Sequence, residues 1–146
     1  MPTIAIMIGI QGSCKSSFCR EHLSAYERIS LDDLHTRNKE NLAVTSAFER
    51  GLDLVIDNTN PTIEVRRKYL EPAKARGYRT VGFFMQSRLA ECIERNSGRT
   101  GKANIPNTAI AATSNKLQMP SREEGFDELY FVSISDGGFK IEEWRD

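Results

Sequence analysis

The apolar run Ile4-Ala5-Ile6-Met7-Ile8 passes directly into Gly9-Ile10-Gln11-Gly12-Ser13-Cys14-Lys15-Ser16-Ser17. No other junction in the chain constrains the fold as tightly. Consecutive apolar residues bury both faces of a strand, as in the middle of a parallel sheet. Parallel neighbours are joined by crossovers, usually helical, and the sequence supplies the alternation this demands. A helix is predicted from 15 to about 25, a short strand over 27–30, a helix over 34–50 ending at Gly51, and a strand over 53–57. Asn60-Pro61 reads as N-cap and first position of a helix carrying Val65, Tyr69 and Ala73 and closed by Gly77. A strand over 78–85 and a helix over 87–96, burying Leu89, Cys92 and Ile93, come next. A polar, cationic and mobile loop over 97–106, a helix to about 116 and a strand over 129–134 complete the pattern. Residues 139–144 pair as a hairpin or hang at the edge. The expectation is one α/β domain over 1–146, with a mostly parallel five-stranded sheet and helices on both faces.

Composition narrows the partners. In 146 residues, 20 Lys+Arg balance 20 Asp+Glu, and 39% of the chain is hydrophobic. That argues against disorder and against a basic nucleic-acid coat, while leaving room for an enzyme that grips a nucleic-acid end with a few local cations. No apolar run approaches the roughly 18 residues a membrane span needs, and no signal peptide is seen, so no membrane partner is expected. Three cysteines, Cys14, Cys19 and Cys92, give neither a disulfide framework nor zinc-ligand spacing. A cytoplasmic setting is the default reading.

Ligands of parallel sheets bind beyond the carboxyl ends of the strands, which points first to residues 9–17. Gly9, Lys15 and Ser16 fit the phosphate-loop pattern G-x-x-x-x-G-K-[ST]; Cys14 stands where its last glycine belongs. Backbone N–H groups curling around an anion form a nest, and the following helix adds about half a positive charge at its N-terminus. In that pattern Lys15 is a point charge for the β- and γ-phosphates, and the Ser16 hydroxyl is a hard oxygen ligand for Mg²⁺. A side chain at Cys14 costs about 1–2 kcal/mol if the backbone there is left-handed. A working site that tolerates the thiol and a nucleotide-binding relic are the competing readings.

Further candidates follow the next strands. Asp32-Asp33 reads equally as a general base for an attacking hydroxyl or as a helix N-cap pair. Asp57-Asn58-Thr59-Asn60 reads as a Mg²⁺-orienting carboxylate with its lining or as a turn and cap. Arg95 and Arg99 lie four apart and share a face if the helix continues. Such cations offset charge on a moving phosphoryl group, or they form a solvated surface face.

Four blocks, in order, resemble the kinase domain of polynucleotide 5′-hydroxyl kinases. These are the 9–17 loop, near G-x-P-G-S-G-K-S-T; Ile29-Ser30-Leu31-Asp32-Asp33, near an N/S-R-D-D run; and Val55-Ile56-Asp57-Asn58-Thr59-Asn60-Pro61, very near I-D-N-T-N-P. The fourth runs from Arg95 through Arg99 and Lys102 to Ile105-Pro106, Pro120 and Glu124-Gly125-Phe126, and is similar to a lid, an I-P pair and a P-x-x-x-E-G-F segment. The blocks cover most of the chain, and the D-N-T-N-P and lid-to-E-G-F stretches are the most specific.

The resemblance implies a P-loop kinase fold with an arginine-bearing lid, ATP and Mg²⁺ as cofactors, and the 5′-OH of DNA or RNA as phosphate acceptor. It implies that Lys15 bridges phosphates, that Ser16 with Asp57 holds Mg²⁺, and that Asp32 is the general base. Arg99 then stabilises the transferring group with Arg95 beside the nucleotide, and Asp33, His35, Asp57, Thr59 and Asn60 line the acceptor side. Leu31 and His35 replace arginines often found in the family, which lowers positive charge there. A small-molecule or nucleoside kinase, and a non-catalytic ATP-binding module, are the alternatives. No phosphatase D-x-D-x-T block is present.

Overall fold

The computed structural model describes residues 1–101 and 104–145; Lys102 lies outside them. Strand β1 (Thr3–Ile8) runs parallel between β3 (Leu54–Ile56) and β4 (Arg79–Met85). With β2 (Glu27–Ile29), β5 (Glu128–Ser135) and β6 (Gly138–Glu143) the sheet order is β2-β3-β1-β4-β5-β6. All pairings are parallel except β5 with β6. The helices are α1 (Lys15–His22), α2 (Leu31–Leu34), α3 (Arg37–Glu49), α4 (Ile63–Ala75), α5 (Leu89–Ser97) and α6 (Asn107–Lys116). Among the described residues no helix is long and apolar enough to cross a membrane.

The pleat of β1 divides the core. Ile4, Ile6 and Ile8 point to the side where α3 brings Val44 and Phe48 and α4 brings Tyr69, Leu70 and Ala73. Ala5 and Met7 point to the side covered by Phe18 and Cys19 of α1. Side chains alternate across a strand, so a strand apolar at every position serves two layers. Each fully buried aliphatic side chain contributes about 1.5–3 kcal/mol. A third cluster of Ile10, Cys92 and Ile110 seats the loop after β1 against α5 and α6.

The E-G-F stretch is a clasp. Glu124 meets Arg66 of α4 in a fork of two bonds, 2.8 and 3.0 Å long. Arg66 also donates to the carbonyls of Asn60 and Gln118, so its fully buried guanidinium is satisfied. Phe126 packs over Gly82 of β4, where an added Cβ would sit 2.9 Å from the Phe126 ring.

Several expectations need correction. The sheet has a sixth strand, because residues 138–143 pair antiparallel with β5. Helix α1 stops at His22, whose ring stacks on Phe18 at 4.8 Å, and the chain turns back through Leu23 and Tyr26. The helix expected over 34–50 is two helices, since His35 is left-handed (φ 69°) and Thr36 caps α3 through its side chain and Lys39 N. The cap of α4 is Thr62 and not Asn60. Asn60 is left-handed (φ 44°) and buried, its amide donating to Met7 O at 2.6 Å. Leu89 is 37% exposed, since α5 turns Cys92 and Asn96 inward instead. Helix α5 ends at Ser97, so Arg99 lies in the turn beyond it.

Candidate active site

Four loops meet at the carboxyl edge of the sheet. The loop after β1 is pinned from both sides: Gly9 N donates to Thr59 O at 3.0 Å, and Ile10 N to Ser87 Oγ at 3.1 Å. Gly12 is left-handed (φ 84°), and a Cβ there would run into the Cys92 carbonyl of α5. Only glycine permits so close an approach with that backbone. Cys14 adopts φ 70°, ψ 31° as N-cap of α1 with no side-chain cap bond. The first turn of α1 contains no acidic residue, so its amides and its positive dipole end are left for an anion.

Lys15 lies under this loop, donating to Ile10 O at 2.8 Å and reaching Ser13 Oγ at 3.4 Å. Burial lowers its pKa to about 8; the Asp57, Cys92 and Asp32 charges oppose that shift, and Arg99 adds to it. One ammonium thus senses residues from four separate segments. Ser16 donates to Asp57 Oδ2 at 2.9 Å. These are two oxygen donors side by side, the chemistry Mg²⁺ takes, and the loop with Lys15 suits a polyphosphate. The residues present fit both groups.

The remaining predicted residues divide between two sides. Arg95 donates Nε to Gly12 O at 2.6 Å and Nη2 to Cys92 Sγ at 3.5 Å, locking α5 to the loop. Ser17 Oγ accepts from Arg20. Gln11 contributes its main chain to the loop, while its amide donates to Thr113 of α6. Asn96 clamps the turn beyond Arg99, accepting from Ile105 N at 2.9 Å and donating to Ile105 O at 2.6 Å. On the other side, Asp32 and His35 are exposed at α2, and Asp33 pairs with Arg28 at 2.7 Å.

Two residues in the constellation had no role assigned from the sequence: Arg28, which lies in no motif, and Asn58 of the D-N-T-N-P stretch. Arg28 of β2 joins Asp57, Asp33 and Ser16. Burial disfavours its charge, but the hydrogen bond and charge of Asp57, then Asp33, raise its pKa overall. The alternation of β2 was the available signal: Arg28 faces opposite to buried Ile29. Asn58 accepts from Leu31 N at 2.8 Å, tying α2 in place, and donates to Glu40 at 2.7 Å. Glu40 is itself buried and accepts from Tyr69 Oη at 2.7 Å. Burial and then the Glu40 hydrogen bond push the Tyr69 phenol up.

A family model described as an AAA domain matches residues 41–120, more than half of the chain. The chain belongs to this family of P-loop domains. Its polynucleotide-kinase-like character is seen in a relative, the bifunctional polynucleotide phosphatase/kinase of Schizosaccharomyces pombe, 30% identical over 141 residues. That match covers 91% of this chain and 35% of the relative. The chain spans about a third of the length of the curated relatives it matches.

Solved structures of the same fold include a gluconokinase of Sinorhizobium meliloti 1021, at 21% identity and a TM-score of 0.63, covering 92% of this chain and 84% of that one. Another is Kti12 of Chaetomium thermophilum in complex with ADP-AlF3, at 16% identity and a TM-score of 0.67, covering 89% and 88%. The domain has the P-loop kinase fold of this family. The phosphate loop precedes the matched stretch 41–120 and is a separate mark of it.

Proposed function

We propose that this domain transfers the γ-phosphoryl group of ATP to a hydroxyl, the 5′-OH of a DNA or RNA end. The observation that carries the reading is the phosphate loop itself: the acid-free N-terminus of α1, Lys15 held under the loop at 2.8 Å from Ile10 O, and Ser16 bonded to Asp57 at 2.9 Å. Phosphoryl transfer to an alcohol needs a seat for the phosphates, a base for the attacking proton and cations over the moving group. The loop amides and Lys15 bind and orient the polyphosphate. Asp32, exposed on α2, accepts the proton of the acceptor hydroxyl. Arg99 offsets charge on the transferring group, and Arg95 holds α5 against the loop. Mg²⁺, held by Ser16 and Asp57, supplies further neutralisation of the phosphate oxygens when bound. Asp33, His35 and Thr59 line the acceptor side; Asn60, expected there from the sequence, is buried and its amide instead ties the ends of β1 and β3. The polynucleotide acceptor is supported by the relative's name, a polynucleotide phosphatase/kinase, and by the D-N-T-N-P stretch.

The test is incubation of γ-labelled ATP with 5′-hydroxyl DNA and RNA oligonucleotides, with and without Mg²⁺. Label on the 5′ end, dependent on the metal, is expected. No transfer to either polymer sinks the acceptor assignment. A small-molecule acceptor is the second reading, favoured by Leu31 and His35, which keep positive charge off that edge. A salt titration separates the two. Transfer to a polyanion weakens with ionic strength through phosphate contacts; transfer to a neutral acceptor lacks that slope.

A further inference from the structure

The two oxygens assigned above to Mg²⁺ already have a cation against them. Arg28 donates Nε to Asp57 Oδ2 at 2.7 Å and Nη2 to Ser16 Oγ at 3.3 Å. Its third contact, Nη1 to Asp33 Oδ2 at 2.7 Å, points away from that pair. The Asp57 side chain is 2% exposed, and a carboxylate so buried needs a positive partner. A divalent ion on the same oxygen supplies that partner too, but it also repels a guanidinium a few ångströms away. Arg28 is built to give way. Its strand is three residues long at the border of the sheet, its side chain is 35% exposed, and Asp33, 64% exposed, offers a second carboxylate outside the pocket.

We propose that Arg28 is a built-in counter-ion that competes with the divalent metal for Asp57 and Ser16 and thereby sets how tightly the metal is held. The proposal rests on the reading of Ser16 and Asp57 as the metal-holding pair. Arg28 keeps the buried carboxylate aimed, and retreats onto Asp33 as the metal enters. It is a positioning residue, since it acts through Asp57.

The sign of one measurement separates this role from a merely structural one. Mn²⁺ affinity is measured by electron paramagnetic resonance on the whole protein at saturating ADP, corrected for Mn²⁺ held by ADP alone. Arg28→Gln is expected to bind Mn²⁺ about tenfold more tightly than the parent, because a repelling charge is gone. Asp57→Asn is expected to bind it more weakly. Equal or weaker binding by Arg28→Gln, with Asp57→Asn still weakened, overturns the competition and leaves the metal pair standing. Unchanged binding by Asp57→Asn overturns both.

Arg28→Gln also strips a buried carboxylate of its partner, so the unmodified protein supplies a second measurement. The Nε–H of Arg28 in ¹⁵N-arginine-labelled protein exchanges slowly while it is bonded to Asp57. Mg²⁺ with ADP is expected to speed that exchange, and an unchanged rate at saturating Mg²⁺ overturns the proposal.

Discussion

The two walls of the candidate site are made differently. The phosphate-loop wall is backbone: N–H groups, a helix terminus, and a glycine pressed against the Cys92 carbonyl. The opposite wall is side chain upon side chain, with Arg28 on Asp57 and Asp33, Asn58 on Glu40 and Leu31 N, and Glu40 on Tyr69. The first is fixed by a short local sequence and the second by contacts between distant segments. A change in the first should alter chemistry without costing stability. Removing a bonded partner from the second should cost both.

The strongest challenge to that contrast is Glu124→Ala. It leaves the fully buried Arg66 without its carboxylate and should cost about 3–5 kcal/mol in stability, read by urea unfolding. A loss under 1 kcal/mol breaks the claim that pairs between distant segments carry stability outside the loop. Next, Arg99→Ala and Asp32→Ala should each lower turnover by roughly 10²–10³-fold, the cost of removing one charge-stabilising group. Thermal midpoint and ATP affinity should stay near the parent's. Normal turnover removes the assigned role.

Asn58→Ala strips partners from Leu31 N and Glu40, and about 1–3 kcal/mol should go with them. Turnover should fall alongside, because α2 carries Asp32. If stability falls and turnover does not, the two walls are less coupled than described.

Lys15 gives a pH test of the loop wall. Its pKa is lowered to about 8, so between pH 8 and about 10.5 the unfolded chain carries the extra proton and stability rises with pH. Below pH 8 the cost of burying the charge is present in full. Lys15→Met should therefore melt higher than the parent at pH 7, with the gap closing toward pH 10.5. ATP binding by the parent should weaken above pH 8 as the ammonium is lost. A gap independent of pH contradicts the burial of that charge. The smallest expected effect is Cys14→Gly. Relief of the left-handed backbone is worth about 1 kcal/mol, and the freer unfolded chain takes back part of it. A small rise in melting temperature checks this.

The same contrast explains what was readable in advance. The loop wall announced itself because its geometry demands particular residues at consecutive positions. The alternation of strands and helices was readable because two-faced burial of β1 forces crossovers, whereas the order of the strands in the sheet was not read. The break between α2 and α3 was not read, although Thr36 is a good cap, because neither glycine nor proline marks residues 34–37 and it is His35 that takes the left-handed backbone. Asn60 was misread because an Asn before a Pro signals a cap wherever it stands, and only the neighbouring ends of β1 and β3 supply the carbonyls it binds. Arg28 left no trace in any motif: its importance comes from facing Asp57, 29 residues away.

The borders of the sheet carry a last consequence. At one end β2 offers only three residues; at the other β6 alternates outward charge, with Lys140 and Glu142 paired at 2.8 Å. Neither border is a good template for a foreign strand. Copies at high concentration therefore gain little by zipping their main chains together edge to edge.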